Sequence, residues 1–161
     1  MHGVKRKVCS PAELATKAVK EQQIKAAYLN LLDQEKDLTV LARLVAINPD
    51  NGTWWNMRKQ ILQAQTAEEF NLTGELELTS SAIQANPKAY SSWFHRKWTL
   101  THFFARSAEE EQKQKLLVQE LDLCKLFLLK DDRNFHCWDY RRWKCVIKLQ
   151  RLNPFCQPQN G

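Results

Sequence analysis

Few side chains in this sequence stand at spacings that support chemistry by themselves. Cys137 follows His136, but neighbours on a helix point about 100° apart and no third member is evident, so both read as packing residues. The paired carboxylates Asp131 and Asp132 read as a helix-end cap or a dipole partner, not as an acid–base dyad. No glycine-rich loop could cradle a phosphate, which leaves nucleotide hydrolysis unsupported. The five cysteines (Cys9, Cys124, Cys137, Cys145 and Cys156) form no CxxC pair, so they supply no ligand set for structural zinc and suit a cytosolic protein with reduced thiols. Lys88, taken alone, is a solvated cation just ahead of a helix start. His95 and Lys97 read as solvated-face residues of that helix, and His2 sits one residue from the terminus.

The residues that recur are of another kind. Three strings fall into one register: AINPDNGTWWNMRKQIL (46–62), QANPKAYSSWFHRKWTL (84–100) and LKDDRNFHCWDYRRWKCV (129–146). Trp55, Trp93 and Trp138 align, and Arg58, Arg96 and Arg141 follow each by three; the position three before each Trp holds Gly52, Tyr90 and Phe135. Ahead of each string lies a second matching segment, Asp37-Leu38, Glu75-Leu76 and Glu120-Leu121. Each unit is therefore a helical hairpin in an internal repeat. Asn or Asp ends the first helix and Pro cannot continue it. In the second helix residues three apart share a face, so Tyr90, Trp93, Arg96 and Leu100 form a stripe, as do Phe135, Trp138 and Arg141. The rings are expected to fill the space between hairpins, with each guanidinium against its ring or on a C-terminal carbonyl of the first helix. Tyr90 is read as core, with hydrogen bonding near a bound phosphate as its second reading.

The elements that must hold these stripes are helices. With four Gly and five Pro, few tight turns can be built and a sheet-rich fold is disfavoured. Ser10-Pro11-Ala12-Glu13, Thr66-Ala67-Glu68-Glu69 and Ser107-Ala108-Glu109-Glu110 are capping-box patterns. Helices are predicted near 11–33, 37–47, 52–64, 67–85, 89–105, 108–130 and 134–150. This divides the chain into an N-terminal segment with a first helix (1–36), three repeats over 37–150 (about 37–65, 67–106 and 108–150) and an irregular tail, 151–161. No apolar run of 18 residues is present, so no membrane span is expected. The net charge of +6 is spread among acidic residues without a basic block. That pattern argues against nucleic acid and for a negatively charged protein surface or a phosphorylated ligand.

The NPxxYxxWxxR string on paired helices resembles the repeats of protein prenyltransferase alpha subunits; a tetratricopeptide array would have a shorter period and another Trp placement. The opening Met-His-Gly, NPKAYSSWFHRKW and DDRNFHCWDYRRW (131–143) are most similar to the Rab-directed geranylgeranyltransferase branch of that family. The resemblance implies an all-α right-handed superhelix, a crescent of antiparallel hairpins akin to tetratricopeptide repeats, wrapped on a separate beta subunit. It implies an enzyme active only as a heterodimer in the cytoplasm, with zinc held by the beta subunit and geranylgeranyl diphosphate at the subunit interface. Geranylgeranyl would pass to C-terminal cysteines of Rab GTPases presented by a Rab escort protein. Family members carry at least five repeats, so this chain is expected to be an N-terminal portion of a longer subunit.

Residue by residue, the resemblance puts Lys88 on the diphosphate of the lipid donor, where a fixed cation steadies the leaving group. Asp50 and Arg133 occupy that position in the other copies. The same likeness gives His2 a possible place as transient ligand to the partner's zinc, since a neutral imidazole suits the open position of a catalytic site. Two alternatives stay open: a non-catalytic helical-repeat scaffold, and the alpha subunit shared by farnesyltransferase and type I geranylgeranyltransferase.

Overall fold

A computed structural model of the chain describes residues 10–152, with side chains as far as Cys145. Seven helices follow one another: α1 (Pro11–Asp33), α2 (Leu38–Ile47), α3 (Gly52–Ala64), α4 (Leu72–Ala85), α5 (Tyr90–Arg106), α6 (Glu110–Lys130) and α7 (Phe135–Leu152). Short side chains set the starts. The Ser10 hydroxyl accepts from the Glu13 amide at 3.3 Å while the Glu13 carboxylate accepts from the Ser10 amide at 2.7 Å, the reciprocal cap its spacing predicts. Asp37, Asn51 and Asn71 cap α2, α3 and α4 through backbone amides of Val40, Thr53 and Gly74. A Cβ at Gly74 would lie 2.9 Å from the Asn71 amide nitrogen, so glycine there leaves the cap its room.

Two predicted starts shift. The Thr66–Glu69 pair does form its reciprocal bonds, at 2.8 and 3.3 Å, but it closes a single turn and α4 begins at Leu72 under the Asn71 cap. The Ser107 hydroxyl takes the Glu109 amide two residues on, at 3.2 Å, so that motif makes a tight turn and α6 starts at Glu110.

Helices pair as α2 with α3, α4 with α5 and α6 with α7, and the second helices also stack, α3 on α5 and α5 on α7. The aligned indoles explain how each hairpin is closed. Trp55 donates to the Pro49 carbonyl (2.8 Å), Trp93 to Pro87 (2.9 Å) and Trp138 to Asp132 (2.7 Å). The ring thus satisfies a loop carbonyl that no helix can use. The next unit adds a second donor to the same oxygens: Ser92 to Pro49 and Asn134 to Pro87, at 2.8 and 2.9 Å. Asn134 also caps α7 by accepting from the Cys137 amide at 3.0 Å.

Apolar burial follows the stripes. Trp93, Leu100, Phe104, Leu117, Cys124, Phe127, Cys137 and Tyr140 form one cluster with Ile83. Val45, Trp55 and Ala82 form another, and Leu31 from α1 joins Val40, Leu41 and Leu44. Trp138 departs from the expectation. It is 48% exposed although its two counterparts are buried, and Phe135 is 70% exposed. Trp55 and Trp93 are covered by the unit that follows, through His95 at 4.5 Å and through Phe127 and Tyr140 at 5.5 and 5.3 Å between ring centres. Among the described residues no such unit covers Trp138.

Candidate functional site

The loops joining α2 to α3, α4 to α5 and α6 to α7 carry Lys88 and the residues aligned with it, just ahead of α3, α5 and α7. Lys88 is exposed, its backbone amide bonded to the Asn86 side chain at 3.2 Å. It precedes Ala89, the buried N-cap residue of α5, which has no capping side chain of its own, but the Asp50 carboxylate of the preceding unit accepts from the Ser91 amide at 3.4 Å. That sets an exposed cation near a helix end whose dipole favours negative charge and which already takes the Asp50 carboxylate. Arg133 is likewise exposed one loop further on, and Asp50 is drawn into the neighbouring unit by Ser91, whose hydroxyl donates to the Asp50 carbonyl at 2.9 Å.

Tyr90 does not lie in the core. It is 57% exposed, stacked on Phe94 at 5.7 Å and 5.9 Å from the His136 ring. A Tyr at the first position of a helix lies beyond the turn that contacts the partner helix, so the stripe rule carries Trp93 inward but not Tyr90. Together Tyr90, Phe94, Lys97, Phe135, His136 and Asp139 rim a hollow between α5 and α7 floored by Trp93 and Tyr140. Lys59 of α3 lies over Phe94, 4.2 Å from its ring centre, and partial burial lowers its pKa. Half-exposed rings interleaved with cations make a face suited to an anionic or apolar partner.

Behind this face runs a buried carboxylate ladder. Arg58 of α3 donates Nε and Nη2 to the two oxygens of Glu75, the first at 3.1 Å, and Nη1 to the Leu38 carbonyl. Arg96 of α5 holds Glu120 with two bonds of 2.7 Å and reaches the Leu76 carbonyl at 2.7 Å, Thr79 at 2.8 Å and Ser80 at 2.9 Å. Each guanidinium therefore clasps the first helix of its own hairpin and the carboxylate of the next. The carbonyls it takes lie toward the N-terminal half of the first helix, not at its C-terminus as expected. Burial pushes the carboxyls of Glu75 and Glu120 up, but the hydrogen bonds from His95 and Arg58, and from Arg96, outweigh it and hold both below their ordinary value. The matching Asp37, Glu75 and Glu120 were the signal for these partners in the sequence.

His95 is fully buried, not on a solvated face. Its Nε2 lies 3.1 Å from Glu75 and its ring against Trp55, while Nδ1 has no partner. Burial lowers its pKa against the pull of Glu75, so the imidazole is neutral. Tyr140 fills the same place in the next unit and donates to Glu120 at 2.6 Å. Lys144 is buried there too, 3.8 Å from Glu120, too far for a hydrogen bond, and burial brings its pKa down to about 8. Arg141, third in the Trp-x-x-Arg series, has no carboxylate partner among the described residues and lies over Trp138 at 5.4 Å. Lys97 rests against Trp143 at 5.4 Å. Cys137 is buried and packs on the Cys124 carbonyl, and His136 is half-buried, both in packing roles. His2 lies outside the described residues. Among those described, no group of three or more His, Cys, Asp and Glu could hold a metal ion, and no helix is long and apolar enough to cross a membrane.

Recurring hairpins, an indole pin in each and a cation–aromatic face define a helical-repeat protein. The protein prenyltransferase alpha subunit repeat matches residues 72–103 and 117–143, and the chain belongs to that family. It is 35% identical over 160 residues to the human geranylgeranyl transferase type-2 subunit alpha, an alignment covering 89% of this chain and 27% of that protein. The pig subunit alpha is 38% identical over 115 residues (68% and 19%), and the yeast one 31% over 156 residues (88% and 46%). The chain thus spans from about a fifth to just under half the length of these relatives.

Proposed function

We propose that this chain serves as alpha-subunit structure in a Rab-directed geranylgeranyltransferase, with the α5–α7 face turned toward a beta subunit and the lipid donor. The reading rests on the likeness to geranylgeranyl transferase type-2 alpha subunits together with one observation. Lys88 stands exposed ahead of the start of α5, two residues before the exposed Tyr90. When a cysteine thiolate attacks C1 of geranylgeranyl diphosphate, the C–O bond breaks and negative charge gathers on the departing diphosphate. A cation already fixed at that point lowers the barrier, and losing it costs on the order of 10²–10³ in rate. Tyr90 would donate its hydroxyl near the same oxygens. Zinc would be held by the beta subunit, where the metal lowers the pKa of a bound thiol. The chain would work as a crescent-shaped heterodimer partner in the cytoplasm, receiving Rab GTPases from their escort protein.

Co-expression with a type-2 beta subunit tests this. Co-elution, with binding of a fluorescent geranylgeranyl diphosphate analogue that weakens in Lys88→Ala while co-elution persists, supports it. Failure to co-elute overturns the beta-subunit reading, and unchanged analogue binding in Lys88→Ala removes the diphosphate role.

A further inference from the structure

Three hydrogen bonds converge on one peptide unit, the link between Pro87 and Lys88. Its carbonyl oxygen accepts from the Trp93 indole and from the Asn134 side-chain amide, each at 2.9 Å. Its N–H donates to the Asn86 side-chain oxygen at 3.2 Å. A peptide unit is planar and carries the Cα atoms of both its residues, so bonds on its two edges fix where the Lys88 side chain begins. The Trp93 and Asn86 bonds come from the same hairpin, whereas the Asn134 bond crosses from the start of α7. Asn134 is itself firmly held. It is 3% exposed, its Oδ1 accepts from the Cys137 amide at 3.0 Å as the α7 cap, and its backbone amide donates to the Asp131 carbonyl at 3.2 Å. One planar side chain thus commits its oxygen to α7 and its nitrogen to the loop ahead of α5. The corresponding loops differ. Ser92 makes the cross-unit bond to Pro49 at 2.8 Å, but the residue presented there is Asp50, an anion. Ahead of Arg133 the Asp132 carbonyl accepts from Trp138, and from no following unit among the described residues. Lys88 is the loop cation whose peptide is held from two hairpins.

We propose that Asn134 is a positioning residue for Lys88: anchored as the cap of α7, it holds the Pro87–Lys88 peptide so that the exposed ammonium meets the diphosphate of the lipid donor from a fixed base. The proposal rests on the reading of Lys88 as a diphosphate contact. Asn134 does not touch the ligand and acts through the loop. A lysine stem is flexible, and ordering it on an anion has an entropic cost; a loop that also moved would add its own. Holding the backbone beforehand removes that second part, which is how a supporting residue raises the effect of a contact group.

The test uses the chain co-expressed with a type-2 beta subunit. Asn134→Ser keeps a good helix cap, but its side chain ends one atom sooner and lacks the planar amide that reaches Pro87. Affinity for a fluorescent geranylgeranyl diphosphate analogue should fall roughly 5-fold, the scale of one hydrogen bond. Affinity for the neutral geranylgeraniol counterpart should change less than about 2-fold, and so should diphosphate affinity when Asn134→Ser is made on Lys88→Ala, because coupled residues do not add. Unchanged diphosphate affinity in Asn134→Ser, equal losses for both probes, or the same loss with and without Lys88 overturns the positioning role and leaves the Lys88 contact standing. Wild-type affinity in Lys88→Ala overturns the contact, and the positioning role with it. In the chain by itself, hydrogen exchange at the Lys88 amide should quicken in Asn134→Ser while the Cys137 amide stays protected. A Lys88 amide that exchanges as in wild type overturns the proposal independently of the beta subunit.

Discussion

His95→Gln isolates the acid sensitivity of the first rung. In the folded chain the imidazole is fully buried, bonded through one nitrogen to Glu75 and through the other to nothing. The groups that face it are Arg58 and Lys59 from α3, Glu75 from α4 and the rings of Trp55 and Trp98. Protonation would add a cation beside Arg58 and bury an N–H with no acceptor, and burial accordingly depresses the pKa. The unfolded chain therefore takes up the proton first. This contribution to stability is complete above the unfolded value of about 6.5 and is lost as pH falls toward the folded value. If the folded imidazole stays neutral throughout, going from pH 7.5 to 5.5 removes about 1.4 kcal/mol, or roughly 3–6 °C in melting temperature for a chain of this size. His102, whose pKa burial also lowers, adds in the same direction and is subtracted with His102→Gln. Urea titrations of wild type and both variants at intervals between those pH values read the slope, which a uniform loss of stability in His95→Gln does not alter. Parallel curves for wild type and His95→Gln would refute the linkage.

Trp93→Ala should cost about 3–5 kcal/mol, while Trp138→Ala should cost about 1 kcal/mol, the scale of its single hydrogen bond; thermal melts compare the two. Arg96→Met leaves Glu120 buried without its main partner and should destabilise by about 3–5 kcal/mol, and the double change Arg96→Met, Glu120→Leu should recover most of that loss in urea titrations. Lys144→Met removes a buried cation whose pKa falls from 10.5 to about 8, so it should raise stability at pH 7 by up to about 3 kcal/mol. Because the depressed pKa makes wild type more stable as pH rises from about 8, the advantage of Lys144→Met should shrink toward pH 10.

The hairpins were legible because their signals are local. Trp, Arg and the helix-ending Asn or Asp sit at fixed spacings within about ten residues, and in the first two units the structure turns these spacings into bonds and buried stripes. Helix starts at Leu72 and Glu110 were misplaced because Thr66 and Ser107 can close a turn as readily as a helix, and only the chain beyond decides. His95 was misread because its burial depends on Glu75 and Trp55, twenty and forty residues away. Tyr90 was misread because it stands at the first helical position, beyond the inward-facing turn, and Trp138 for a reason related to that of His95. A stripe names a face, but what covers that face comes from the next unit. Lys88 had no spacing of its own to mark it out; the loop geometry and the family likeness, not periodicity, bring it forward.

The indole pin and the arginine clasp differ in inheritance. Duplicating one unit copies a tryptophan together with the loop oxygen it needs, so every new module arrives able to close itself. A clasp is shared property: its cation is encoded in one module and its anion in the following one. Inserting, deleting or shuffling modules therefore leaves individual hairpins intact but breaks matched pairs at the seams, and an array of this kind can grow by whole modules only where each junction regains opposite charges.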